Sequence, residues 1–393
     1  MSELKFSSQP LRAKHTRLCV LAALPLLSAS LAGAATQTLR VVSYNTQGDV
    51  SSPSPTGVLP YVETVLEGIG QQKYVGDGIL QIPDIIALQE TTSNTTSCAP
   101  IVSALNSYYG STTYAYSTYQ ATQNGSATSG NGPNALIYNQ STLNLIASVG
   151  VGTPGGSSNG EYRQVVRYEF QPKVDAGTST GIFYLYNCHA KSLSSGSTST
   201  DQTYQQEEAQ MIRNDELSLP ATASVLYMGD WNTNASTDPS LVTITGSGQG
   251  QGIDALNPTN ASEDWETNAT YKGLMTETDT DLRYRDDIQF MTSNVYNDAA
   301  GSLDYVANSA HAFGNNGTTA EGGSVAAAGN TALNDIVGNG ALTTTQVFAA
   351  ENGSLGSDHL PVVADYTIAT SVPEPTAALA FVVPAGLMVR RRR

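Results

Sequence analysis

The run VLYMGDWNTNAS (225–236) ends an apolar stretch with a carboxylate and a carboxamide two positions apart, Asp230 and Asn232. Strand side chains alternate faces, so these two share a face and Trp231 takes the other. A carboxylate there can accept a proton from water, and the amide beside it can hold a phosphate or carbonyl oxygen. Gly229, Asp230 and Asn232 are also good turn formers, and read alone they serve that use equally well. More polar residues stand at similar places. Asn45 closes LRVVSYN (39–45), Glu90 closes DIIALQE (84–90), and His189 lies at the end of GIFYLYNCHA (181–190). Asp287 opens DIQFMTS (287–293), and Asp358-His359 precede LPVVADYTI (360–368). Strand ends at one sheet edge can share a pocket, where Glu, Asp and Asn suit a hard cation such as Mg²⁺ or Mn²⁺. An acid that pairs with a histidine fixes the ring's tautomer, and Asp287 and His359 are candidates for such a pair. Such a set serves metal-assisted hydrolysis of a phosphate ester. Taken singly, each has an ordinary use as a turn residue, surface acid, turn cap or satisfied imidazole.

These residues need strands to carry them. Besides the runs above, NALIYN (134–139), RQVVRYEF (163–170) and SVLYMGD (224–230) are rich in Val, Ile and Tyr and bounded by Gly, Pro or Asn. LPYVETVLEGIGQQ (59–72) places Val62, Val65, Leu66 and Ile69 on one helical face, and DQTYQQEEAQMIRNDELSL (201–219) opens at an N-cap, Asp201. Tracts of Gly, Ser, Thr and Asn at 120–133, 151–160, 193–200 and 312–340 read as surface loops. No repeat of solenoid or propeller length is present. One large sheet-rich α/β domain over residues 36–370 is expected.

The two ends read differently. Residues 1–35 carry Lys14 and Arg17, the apolar LCVLAALPLL and small residues at Ala32 and Ala34, which predicts a secretory signal peptide. Pro25 and the short apolar run argue against a membrane span. Residues 371–393 hold Pro-Glu-Pro, an apolar stretch and four terminal arginines. That order resembles the PEP-CTERM sorting tag of Gram-negative bacteria, which implies cutting by an exosortase-type enzyme and no stable membrane span afterwards. A secreted or cell-envelope protein, monomeric, is the expectation. Residues 36–370 keep 10 of the 18 basic and 32 of the 34 acidic residues, a net charge of −22. A basic footprint for gripping a nucleic-acid backbone is missing. Cys98 and Cys188 remain in the exported part; an oxidising compartment favours a disulfide between them, with two free buried thiols as the alternative.

In chain order SYN, LQE, NCHAKS, GDWN, RDDIQF and GSDHLPV resemble the endonuclease/exonuclease/phosphatase superfamily over roughly residues 39–368. The resemblance implies a four-layer α/β sandwich, two packed and mainly antiparallel β-sheets flanked by helices, with the site at one end. It implies Glu90 as principal metal ligand with Asn45 and Asp358 beside it, for Mg²⁺, Mn²⁺ or Ca²⁺. Asp230 and Asn232 then position the attacking water and a phosphate oxygen, Asp287 orients His359, His189 assists the leaving oxygen, and Arg163 contacts phosphate. Asn134 and Asn139 stand where many members have an aromatic or arginine, and Asp287 rather than Asp286 is aligned with the family acid. NCHAKS is similar to the deoxyribonuclease, sphingomyelinase and secreted bacterial nuclease branches, and GDWNTNASTDP with YQQEEAQMI resembles the secreted nucleases. The implied activity is a secreted phosphodiesterase acting on nucleic acid, with a sphingomyelinase-like enzyme or an inactive matrix protein as alternatives.

Overall fold

The computed structural model describes residues 35–47, 59–122, 133–152, 163–193, 198–259, 262, 265, 269–278, 282–298, 303–318, 324–336, 342–351 and 356–371. The expected leader, apart from Ala35, and the sorting tail, apart from Ser371, lie outside them. The chain begins with β1 (Ala35–Asn45), α1 (Leu59–Ile69), β2 (Ile85–Gln89), α2 (Ala99–Tyr108), β3 (Tyr114–Tyr116) and β4 (Ala135–Asn139). Next come β5 (Leu143–Val151), β6 (Val165–Pro172), β7 (Phe183–His189), α3 (Thr198–Glu216), β8 (Ser224–Asp230) and α4 (Pro239–Thr245). The rest is β9 (Gly252–Asp254), β10 (Asp287–Thr292), α5 (Ser293–Tyr296), β11 (Leu303–Tyr305), β12 (His311–Ala312), α6 (Thr344–Ala350) and β13 (Val362–Thr370).

The strands form two sheets, ordered β11-β13-β1-β2-β4-β3 with β12 also on β13, and β5-β6-β7-β8-β10-β9. Each sheet has one parallel pair near its centre, β1 with β2 and β7 with β8, and its other pairings are antiparallel. A parallel pair needs a crossover, and α1 and α3 lie in the two connections. Parallel strands also end at the same edge. Asn45 therefore stands opposite Gln89, and His189 opposite Asp230. The antiparallel neighbours begin at that edge: Asp287 faces Asp230, and β13 starts at Val362 opposite Ser43, just after Asp358-His359. Register gathers the polar strand ends at one edge within each sheet, and the packed sheets bring the two edges together, Asn45 Nδ2 reaching Asp230 Oδ2 at 2.9 Å.

Alternation builds the layers. Leu39, Val41, Ile85, Tyr168, Leu226 and Met228 fill the space between the sheets. Their neighbours Val42, Ile86 and Leu88 turn outward beneath α1, where Val62, Val65, Leu66 and Ile69 bury the predicted face. Val225 and Tyr227 turn outward on the other sheet, against Ala209 and Ile212 of α3. The result is the four-layer α/β sandwich, two mainly antiparallel sheets flanked by helices.

Three local expectations change. α3 starts at Thr198, so Asp201 is not its N-cap; it lies buried in the first turn, 3.5 Å from Lys191 Nζ. Cys98 and Cys188 are free and buried, and do not form the expected disulfide. They belong to opposite layers, Cys98 under the helices of the first sheet and Cys188 under those of the second. Within the tract 193–200, residues 198–200 are helical. Among the described residues no helix is long and apolar enough to cross a membrane.

Candidate active site

Glu90 departs from the alternation that orders its strand. Leu88 packs outward, so a regular strand would turn Glu90 outward as well. Its backbone instead takes φ = +55°, a left-handed conformation that non-glycine residues adopt at a cost. The side chain returns to the site, where Asn45 Nδ2 donates to Glu90 Oε1 at 3.3 Å and to Asp230 Oδ2 at 2.9 Å. The Asp230 partner oxygen, Oδ1, accepts the Asn232 N–H at 2.9 Å. Asn232 also has a left-handed backbone, φ = +50°, so it is a turn residue and a site residue at once. Its Nδ2 donates to the Ala190 carbonyl at 3.1 Å. Trp231 turns to the outer layer as expected and is 1% exposed.

His189 Nε2 lies 3.3 Å from Asp230 Oδ2 and 3.4 Å from Glu90 Oε1. Burial holds this imidazole well below its ordinary pKa, with Arg163 and His359 adding to the effect. Its Nδ1 is buried and unpartnered. His359 is the opposite case. Burial disfavours its charge, but Asp287 Oδ2 at 2.8 Å from Nδ1, with Asp230 and Asp358 nearby, raises its pKa well above the ordinary value. Nε2 is left facing Asp230 Oδ2 at 3.9 Å and Asp358 Oδ1 at 3.8 Å. Asp358 accepts from Gln47 Nε2 at 2.8 Å. Arg163, 6% exposed, donates through Nη1 to the same Ala190 carbonyl that Asn232 holds, while its Nε is unpartnered. Burial raises the carboxyl pKa of Asp230 and of Glu90, each partly offset by His359.

Glu90, His189 and Asp230 offer ligand atoms within 4.8 Å of one another, close enough to share one ion. Two carboxylates and an imidazole fit a divalent cation. Asn45 points its amide nitrogen, a donor, at the acids and uses Oδ1 to accept the Gln47 N–H at 3.0 Å. Acting as a ligand on that side would require the amide to turn over. Asp358 lies on the His359 side of the pocket.

Several contributors escape a reading of strand ends. Asn187, one alternation below His189, spans the sheets: its Nδ2 donates to the carbonyls of Leu88 and Ala135, and its Oδ1 accepts from Gln89 Nε2 at 2.7 Å. Gln289 does the same below Asp287, donating to Val41 and Val362. The signal was available, since an amide inside an apolar strand needs partners. Asn134 donates to the carbonyls of Gln164 and Asn187, so it ties sheets together, and Asn139 caps the turn at Ser141. Asp286 is buried beside the pair, and its carbonyl accepts the Trp231 N–H at 2.6 Å.

An α/β sandwich whose parallel strand ends gather two histidines and several acids is an architecture suited to phosphate-ester hydrolysis. The model of the Endonuclease/Exonuclease/phosphatase family matches residues 42–359. The chain belongs to this family of phosphoric-ester hydrolases. Among solved structures it is similar to a family protein from Bacteroides thetaiotaomicron, with 13% identity, 85% of this chain and 99% of that one covered, and a TM-score of 0.46. It is also similar to the human Nocturnin catalytic domain with bound sulfate, at 16% identity, 85% and 97% coverage and a TM-score of 0.47. A mannosyl-6-phosphatase from Bacteroides thetaiotaomicron gives 14% identity, 84% and 99% coverage and a TM-score of 0.46. A search of curated proteins returned no match.

Proposed function

We propose that the chain is an exported, divalent-metal-dependent phosphodiesterase and that nucleic-acid phosphodiesters are its substrate. One observation carries the reading: the Asp287–His359 pair points the free Nε2 at Asp230, beside Glu90 and His189. Asp230 takes a proton from water while the water oxygen bonds to phosphorus. The bond from phosphorus to the leaving oxygen breaks, and that oxygen departs with a proton from the site. His359, kept charged by Asp287, stabilises the negative charge that builds on phosphorus. Neutral His189 donates a hydrogen bond from Nε2 towards the leaving side. Asn232 and Arg163 orient the phosphate. A divalent cation at Glu90, with Asn45 and Asp358 completing the expected set, would supply Lewis-acid stabilisation of the phosphate oxygens.

A phospholipid phosphodiesterase is the second reading, favoured by the acidity of the domain: residues 36–370, with a net charge of −22, repel a long polyanion more than a single phosphodiester. The purified protein should hydrolyse plasmid DNA with Mg²⁺, Mn²⁺ or Ca²⁺. Hydrolysis of sphingomyelin but neither DNA nor RNA would shift the assignment to the second reading; inertness towards all three and towards bis(p-nitrophenyl) phosphate would reject hydrolysis. The same preparation tests export. Its intact mass should lack residues up to about Ala34 and the tail beyond Pro373, and a secreted form keeping both ends would reject the processing proposal.

A further inference from the structure

Gln205 and Glu208 stand three residues apart on α3, 0% and 3% exposed, so one face of this helix buries polar groups at the level of the site. Gln205 Nε2 donates to the carbonyls of Lys191 and Asn232, both at 2.7 Å. Glu208 accepts the Arg163 N–H on Oε1 at 3.3 Å and the Lys191 N–H on Oε2 at 3.0 Å. Two side chains thus hold four backbone groups on three segments. One segment carries Arg163, one runs two residues past His189, and one runs two residues past Asp230 and includes Asn232.

The location of these bonds matters. The last rungs between strand ends here are Ala190 N–H to the Asp230 carbonyl and Trp231 N–H to the Asp286 carbonyl. Lys191 and Asn232 lie just beyond them, where the sheet no longer fixes the chain. Gln205 serves both carbonyls with its amide nitrogen while its Oε1 stays buried and unpartnered. Leaving an acceptor orphaned is destabilising, so core stability alone does not explain a glutamine here. Farther along the same helix, Ala209 and Ile212 pack as ordinary apolar core.

We propose that Gln205 and Glu208 are positioning residues, a polar clamp on α3 that sets the backbone carrying Arg163, His189 and Asn232. The proposal rests on the phosphodiesterase reading of the site. It divides the work between them. Gln205 fixes the turn after Asp230 and so the groups that position water, whereas Glu208 fixes the backbone of the phosphate-contacting arginine.

The test compares wild type with Gln205→Met, Glu208→Met and Glu208→Gln in the full protein. Steady-state hydrolysis of bis(p-nitrophenyl) phosphate with Mn²⁺ is normalised to folded protein by circular dichroism. Gln205→Met should lower kcat by about 10- to 100-fold and leave KM within about threefold, as misplacement of reacting groups does. Glu208→Met should raise KM by about tenfold or more with a smaller change in kcat, and Glu208→Gln, which keeps one acceptor, should restore part of that loss. A merely structural role lowers the melting temperature and moves neither constant. Both constants within about twofold of wild type in Gln205→Met and Glu208→Gln would overturn the clamp, even if Glu208→Met does not fold. Amide hydrogen exchange on the same proteins separates the two readings. If wild type hydrolyses nothing, the phosphodiesterase reading fails. The clamp is then judged by exchange at 190–192 and 231–233: about tenfold faster in Gln205→Met supports it, and unchanged protection overturns it.

Discussion

Asp230 receives hydrogen bonds from Asn45 and from the Asn232 N–H, and both histidines turn a nitrogen towards it. Asp230→Asn keeps its volume and much of this bonding but removes the proton acceptor. Turnover should fall by about 10²–10⁴, the usual worth of general-base assistance. The melting temperature should hardly change, because burial and the nearby acids already disfavour the carboxylate. Near-normal turnover with clear destabilisation would return Asp230 to the role of a turn residue. Glu90 gives a second measurement. Chelation with EDTA should abolish hydrolysis, and Glu90→Gln should raise the Mn²⁺ concentration needed for half-maximal rate by tenfold or more, about 1.4 kcal/mol of lost cation binding. Comparing Asp358→Asn with His189→Gln in the same titration identifies the other ligands. The weaker binder of the two marks the side of the pocket on which the ion sits.

Strand β8 shows how an element limits its own sequence. Gly229 has φ = +142°, and a Cβ there would meet the Cys188 carbonyl oxygen at 1.9 Å. That oxygen belongs to the parallel partner strand, so neither backbone can move without losing register. Gly229→Ala should cost about 2–4 kcal/mol in urea denaturation, among the larger effects of a single methyl group. Elements differed in how plainly the residue pattern announced them. The eight interior runs were legible because a strand buried on both faces is almost continuously apolar. LNLIASVGV (β5) was not, being an edge strand with Ile146 and Val149 more than a third exposed. α2 was hidden by Pro100, which reads as a breaker yet sits in the first turn, where a helix needs no N–H.

The whole molecule joins its layers with buried polar groups as well as apolar contacts, and this makes its stability depend on pH. Asp84, 0% exposed, accepts from the Arg40 N–H, Gln81 Nε2 and Thr142 Oγ1. Burial outweighs these donors and pushes its pKa up to about 6 from 3.8. A carboxyl whose folded pKa is raised holds its proton longer in the native state, so its stabilising contribution is complete below pH 3.8 and is lost as pH rises through about 6. That loss is about 3 kcal/mol at 1.36 kcal/mol for each pKa unit. Asp84→Asn keeps the bonds, since the Thr142 hydroxyl can turn to the Asn139 carbonyl at 3.1 Å and accept from the new amide. The variant should therefore gain stability over wild type between pH 4 and pH 7, measured by urea midpoints; a constant difference across that range would show that Asp84 does not titrate there. Thiol counting tests the layer assignment. Protein unfolded without reductant and alkylated should show two modified cysteines, because Cys98 and Cys188 pack in separate layers.

Residue order by itself determined the interior strands, the amphipathic face of α1 and the polar strand ends, because side-chain periodicity and the punctuation between runs are local properties. The paired Asp287 and His359 belong to the same category: each stood beside a strand whose place in the family order was recognisable. Tertiary structure alone decided how those ends meet. Pairing direction and register set His189 beside Asp230 in one sheet and Asn45 beside Gln89 in the other, and the packing of the two sheets brings Asn45 to Asp230 at 2.9 Å. It also decided Glu90, whose left-handed backbone reverses the face that alternation assigns. Likewise, only the tertiary structure decided which groups Asn187, Gln289, Gln205 and Glu208 hold. A buried amide or carboxylate takes its meaning from the backbone groups it meets, and those come from segments far away in the chain.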